Sequence, residues 1–381
     1  MSTEFEIVKY DSEFKRPVAE FQRQLWSSDA SLNERYFEWK YERNPHRRES
    51  HVYLALHRDR VVGMRGFHAA RLEAGKPSRT FTLLIAGDAL VAPDCRDRGL
   101  VSRILKAAYG DLAEREYDYV VSLGGASRIN ALGLMALGWK SGGGLQPMGR
   151  TSTAAKRSRN VRQTLKRIPL LWRFGEARSL YFADQRRPIR HLDRMSLGTG
   201  VGAHPPIVVA RTPRIDAMVE LVLRHGHDGR IRYVRDREYL AWRFQNPLGD
   251  YRFLYWEDQR LEGYLVLCNR ASDLGAFYRV YVADLVASNA RVRSDLLAAA
   301  ARWGRFPEIV TWTATLPEDE LQDLRAHGFA PIDHEDTARG CPCILVRPLR
   351  TATAPSEWSL GDRHLLDTRN WDVRPIFSMR A

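Results

Sequence analysis

The sequence predicts a mixed α/β protein, an α+β arrangement of mixed sheets in two related domains in tandem, the second a degenerate copy of the first. Three observations lead there. The chain has 381 residues, more than the roughly 100 to 200 usual for one domain. RYFEWKYERNP (Arg35 to Pro45) returns as EYLAWRFQNP (Glu238 to Pro247), matching Tyr36 to Tyr239, Trp39 to Trp242 and Asn44-Pro45 to Asn246-Pro247 after a one-residue deletion. The elements expected around both copies also follow one order.

That order starts with a strand, Phe5 to Tyr10 in one half and Ile207 to Arg211 in the other. Helices carrying the repeat come next, and then a hairpin with a charged turn, Tyr53 to Phe67 and Phe253 to Leu267. A further strand follows, Gly87 to Pro93 matching Ala283 to Ser288. Each half then runs helix, strand, helix and ends in Gly-aromatic, Gly138-Trp139 and Gly328-Phe329. The expected divisions are a first domain over 1–150, a basic amphipathic linker over 151–205, a second domain over 206–345 and a tail over 346–381. In the linker, Ile168, Leu170, Leu171, Trp172 and Phe174 stand among many arginines. Packing of that apolar side on the domains is the leading expectation; a membrane surface or an RNA is the other.

With 44% hydrophobic and 28% charged residues, the composition is that of a soluble globular protein, and no apolar run reaches the roughly 20 residues of a membrane span. The first residues, MSTEFEIVKYDSEFK, lack the basic and apolar pattern of a secretory signal, so a cytoplasmic location is expected. The four cysteines include no CxxC pair and read as reduced thiols, and no metal is expected. The net charge of +13, mostly arginine, suits phosphate, carboxylate or acidic-protein partners, or reflects a GC-rich coding bias.

The most informative stretch is PDCRDRGLVSRIL, Pro93 to Leu105. Before it, Phe81 to Pro93 is apolar at strand length; after it, Val101, Ile104, Leu105 and Ala108 recur at helical spacing. A helix starting near Gly99 directs the backbone N–H groups of residues 97 to 102, including Asp97, Leu100, Val101 and Ser102, outward at the positive end of the helix dipole. Gly99 lets an anion approach, and Arg96 and Arg98 add charge. This geometry suits a phosphate.

Arg96-x-x-Gly99-x-Val101 after a strand resembles the pyrophosphate loop of the GCN5-related N-acetyltransferases, R/Q-x-x-G-x-G/A, with Val101 where Gly or Ala is usual. Asn130 before ALGLMALGWK resembles that family's last motif. The resemblance covers most of residues 5 to 140. It implies that acetyl-CoA, or another acyl-CoA, enters between two splayed strands, with Leu90 and Val91 offering backbone groups to pantetheine and one N–H facing the thioester carbonyl. It further implies direct transfer to an amine in a ternary complex, without a covalent enzyme intermediate. The second half has no Arg-x-x-Gly, and Asp295 is expected near its helix start, so a single coenzyme site is expected, in the first half, with the second shaping the acceptor cleft.

For the general base the first candidate is Asp88, with His68 as its rival and Glu38 and Tyr36 together after them. The matching Asp284 in the other half points equally to a structural duty for Asp88, such as pairing with an arginine. Where the family often has a general-acid tyrosine this chain has Leu134, which leaves water, Ser122, Ser127 or the second domain. The acceptor expected is a small-molecule or peptide amine, with acyl carrier protein and a peripheral membrane contact as further partners suited to the basic surface. Two other readings stand beside this one. Tandem folds of this type also resemble the Fem-like aminoacyl-tRNA-dependent ligases, although the intact loop argues against a nucleic-acid partner. A non-catalytic module binding CoA or nucleic acid is the other.

Overall fold

The computed structural model describes residues 5–125, 128–152, 207–270, 279–303, 306, 308–332, 342–350 and 358–378. Nearly all of the expected linker lies outside the described residues. The first half runs β1 (Glu6–Lys9), α1 (Lys15–Phe21), α2 (Ala30–Phe37), a π turn (Glu38–Glu42), β2 (His51–His57), β3 (Arg60–Ala74), β4 (Arg79–Val91), α3 (Leu100–Ala113), β5 (Tyr119–Gly125), α4 (Arg128–Ala136), β6 (Lys140–Gly144) and β7 (Pro147–Thr151). The second runs β8 (Val208–Ala210), α5 (Ile215–His225), β9 (Arg232–Tyr233), α6 (Arg237–Arg243), β10 (Gly249–Asp258), β11 (Arg260–Arg270), β12 (Arg279–Ala287), α7 (Ala290–Arg302), β13 (Glu308–Trp312), α8 (Glu318–Ala326), β14 (Ala330–Pro331) and β15 (Pro342–Pro348).

Local chemistry accounts for the starts and turns. The Asp29 carboxylate accepts from the N–H groups of Ser31 and Leu32 and so caps α2, while Asp236 does the same for α6 through the N–H of Tyr239. Arg58 and Asp59, both at positive φ (49° and 63°), close the two-residue turn of the β2–β3 hairpin, a backbone shape that matches strand twist.

The two sheets have the same order. One is β1-β2-β3-β4-β5-β15-β6, with β9 added along β3; the other, read in the same sense, is β8-β10-β11-β12-β13-β7-β14. Each therefore holds, at the same place in its order, one strand of the other half: β15 pairs antiparallel with β5, and β7 antiparallel with β13, and the first sheet also takes β9 of the second half along β3. The divisions expected at residues 150 and 345 fall inside these exchanged strands. Alternation along a strand marks it as a strand but not which sheet it joins, so the exchange left no trace in the local pattern. One apolar core runs through both halves, and in it the two copies of the repeat meet, Trp39 against Trp242.

Candidate functional site

β4 and β5 are parallel neighbours only at Leu84–Val120 and Ile85–Val121, and beyond Ile85 they part. The parting begins at a bulge. β4 pairs with β3 through Ala86–Phe67 and Ala89–Arg65, which leaves Gly87 and Asp88 opposite the single residue Gly66. Gly87 is tied to this site by a close approach, since a Cβ there would lie 2.6 Å from the Lys40 ammonium. A cavity of about 690 Å³ opens in the gap and continues to the start of α3, a size within the usual range for small-molecule sites.

At the mouth, Gly99 stands at the N-cap of α3 in the left-handed region (φ 66°, ψ 13°), and no side chain caps the helix. The first helical bond is closed by the Arg103 N–H onto Gly99 O, so the N–H groups of Leu100, Val101 and Ser102 have no intrahelical acceptor. A Cβ built on Gly99 meets nothing within 4 Å, which is the open approach an anion needs. Arg96, Asp97 and Ser102 line the mouth, and Val101 stands there 50% exposed. Arg98 and Arg103 are placed elsewhere: both guanidinium groups lie over the Phe5 ring, and Arg103 donates to the Phe5 carbonyl at 2.7 Å.

Inside, Asp88 accepts from the Lys40 ammonium at 2.8 Å and from Gln22 Nε2 at 3.1 Å, with both members of the ion pair buried. The suspected structural duty of Asp88 is therefore visible, with a lysine as partner. Its counterpart Asp284 takes an arginine, Arg235 at 3.6 Å, and the Tyr264 hydroxyl at 2.9 Å. His68 is 97% buried, and neither ring nitrogen has a hydrogen-bond partner among the described residues. Burial, reinforced by the positive charges of Lys40 and Arg243, holds its pKa well below 6.5, so the ring is neutral and one nitrogen is a vacant acceptor. From the C-terminal tail, Phe377 and Ser378 complete the wall. Arg243 holds them there, donating to Ile376 O at 2.7 Å and Ser378 O at 3.0 Å.

The second half has lost this opening. α7 is capped by its own Asn289, whose side chain accepts from the Val292 N–H, so the amide an anion would take is occupied. Asp295 stands further along α7 and accepts from Trp256 Nε1 at 3.2 Å; the cap residue, not Asp295, closes the helix start. The cleft between β12 and β13 is reduced to about 20 Å³. Arg374 from the tail fills it, paired with Glu320 and Asp372 at 2.8 and 2.7 Å.

The cavity brings together Asp88, His68, Leu90, Val91, Arg96, Asp97, Gly99, Leu100, Val101, Ser102 and Asn130. Glu38 and Arg98 are not in its wall. Glu38 lies outside, 3.2 Å from Lys15, because the π turn directs Trp39, Lys40 and Tyr41 inward instead. Leu134 and Ser122 do line the cavity, whereas Ser127 lies outside the described residues. Three contributors were not singled out from sequence: Lys40, Arg65 and the tail. A lysine inside an aromatic helical repeat was the available signal for Lys40. Nothing local marks the tail.

By sequence the chain matches no known family model and no curated protein. By structure it is similar to a GCN5-related N-acetyltransferase from Anabaena variabilis (TM-score 0.53, 11% identity, covering 91% of this chain and 73% of that one). A probable N-acyltransferase from Enterococcus faecalis gives the same figures. A tandem GNAT protein from the clavulanic acid biosynthesis pathway aligns with TM-score 0.53 at 13% identity, covering 92% of this chain and all of that one. Fold and site together define a tandem α/β protein with one cleft open and the other filled. Its fold is that of the GCN5-related N-acetyltransferases, duplicated.

Proposed function

We propose that the chain is an acyl-CoA-dependent N-acyltransferase acting on a small-molecule or peptide amine. The observation behind this reading is the asymmetry of the two copies: β4 and β12 both part from the next strand, but among the described residues only the first copy has an uncapped helix start and a roomy cavity in the gap, whereas Arg374 fills the second, and the first cavity also holds a buried histidine with a vacant nitrogen. Bound there, an acyl-CoA would supply an activated thioester and a thiolate leaving group.

The chain's residues then divide the work. The N–H groups of Leu100, Val101 and Ser102, with Arg96, hold the diphosphate. The main chain of Leu90 and Val91, free of a β5 partner, lies along the pantetheine arm, and one of its N–H groups takes up the negative charge that builds on the carbonyl. His68 accepts the amine proton as the nitrogen–carbon bond forms and the carbon–sulfur bond breaks; the proton passes to the departing sulfur. Ser122 and water are the donors at hand, since Leu134 offers none. The acceptor enters from the face of α1, α2 and the tail, where Lys40 fixes Asp88 and Phe377 narrows the way. Acetyl-CoA is the reference donor for this reading.

The test is thiol release from acetyl-CoA and longer acyl-CoA in the presence of an amine panel, with Gly99→Asp as the control. Amine-dependent release by the wild type, lost in Gly99→Asp, supports the proposal. Release from no donor with any amine, together with retained CoA binding, would leave a binding module instead.

A further inference from the structure

Arg65 is the feature of this cavity that the mechanism does not use. It is 91% buried, lines the cavity, and makes no hydrogen bond or ion pair among the described residues; its Nε is buried without an acceptor, and its guanidinium lies over the Phe67 ring, 5.4 Å from the ring centre. A buried guanidinium without a counter-charge is expensive. Among the described residues the one carboxylate in the interior, Asp88, is already neutralised by Lys40, and His68 is neutral, so these residues leave the interior with one unbalanced positive charge, that of Arg65. At the mouth, Arg96 and Asp97 contribute one charge of each sign.

Its position says which part of a ligand it meets. Along β3, Met64 and His68 face the side of α1, at whose C-terminal end Gln22 touches Met64. Gly63 and Arg65 face the other way, toward α3, as the closeness of Gly63 to Ile104 and Leu100 shows. Arg65 is the cross-strand partner of Ala89, on the unpaired length of β4 and within two residues of Leu90 and Val91. A thioester lying along that length from the α3 start ends beside Arg65.

Resting on the acyl-CoA reading above, we propose that Arg65 receives a carboxylate at the far end of the acyl group, so that the preferred donor is the CoA thioester of a dicarboxylic acid. The bidentate guanidinium–carboxylate pair restores neutrality inside the cavity and selects against neutral acyl chains of equal length.

Binding to the full chain of CoA, butyryl-CoA and succinyl-CoA tests this, because the two thioesters carry acyl chains of equal length that end in a methyl group and a carboxylate respectively. The wild type is expected to bind succinyl-CoA about tenfold more tightly than butyryl-CoA. Arg65→Met is expected to bring the two within about twofold while binding CoA as before, and Arg65→Lys to keep part of the preference. Ligand-free Arg65→Met should melt at or above the wild-type temperature, because an unbalanced buried charge has gone. Equal binding of the two thioesters by the wild type, or an unchanged preference in Arg65→Met, overturns the proposal while leaving the coenzyme site in place. Failure of all three to bind any variant overturns the coenzyme reading itself.

Discussion

Trp39 and Trp242 stack at 4.7 Å with their rings 10° from parallel, and each indole N–H donates to the other's backbone carbonyl, at 2.7 and 2.8 Å. The repeat is thus its own partner: the same residue of each copy lies at the centre of the seam between the halves. Trp242→Ala is expected to cost about 3 to 5 kcal/mol in urea unfolding. In a double-mutant cycle with Trp39→Ala the coupling should reach about 1 kcal/mol or more. Additive losses would mean that the halves are held by the exchanged strands alone.

The buried Lys40–Asp88 pair gives a second test. Lys40→Met leaves a carboxylate without its counter-charge and is expected to destabilise by about 3 to 5 kcal/mol; Lys40→Met combined with Asp88→Leu should recover much of that loss. Equilibrium unfolding of the three proteins decides it. A double variant as unstable as the sum of its parts would remove the pair from the account of the bulge.

His68 should be visible in the pH dependence of stability. Its folded pKa lies well below its unfolded value of about 6.5, so below that pH the unfolded chain takes up a proton that the folded chain does not. Stability is therefore complete above about pH 6.5 and falls as the pH falls, by at most about 1.4 kcal/mol per unit from this group. His46 and His51, the latter held at about 4, are depressed by burial and act with the same sign, so the difference between wild type and His68→Gln isolates the residue. The stability of the wild type relative to His68→Gln should drop by more than about 1 kcal/mol between pH 7.5 and 5.5. A constant difference would mean a ring that titrates as it does in solution.

The filled second cleft is expected to be structural. Asn289→Ala removes the cap of α7 and should cost about 1 kcal/mol in unfolding without altering coenzyme binding. A weakened affinity would place ligand contacts in the second half.

The order of elements in each half is legible in the sequence because periodicity and turn chemistry are local, and the start of α3 at Gly99 because a glycine there directly precedes the helical spacing. What stayed hidden depends on contacts between distant segments. β7 and β15 read as strands but not as exchanged ones. Helical spacing alone turns Glu38 toward the acceptor, whereas the π turn brings Lys40 inward in its place, and Lys40 and Gln22 reach Asp88 from segments far from it in sequence. Proximity along the chain groups Arg98 with Arg96, yet Arg98 lies over Phe5, on the far side of the turn at Asp97 (φ 62°).

Backbone hydrogen exchange with and without CoA addresses the diphosphate cradle most directly. Protection is expected at the amides of residues 88–91 and 99–102, absent in Gly99→Asp, with no change at residues 284–292. Protection at 284–292 instead, or at neither segment under saturating CoA, would contradict a coenzyme site at the start of α3.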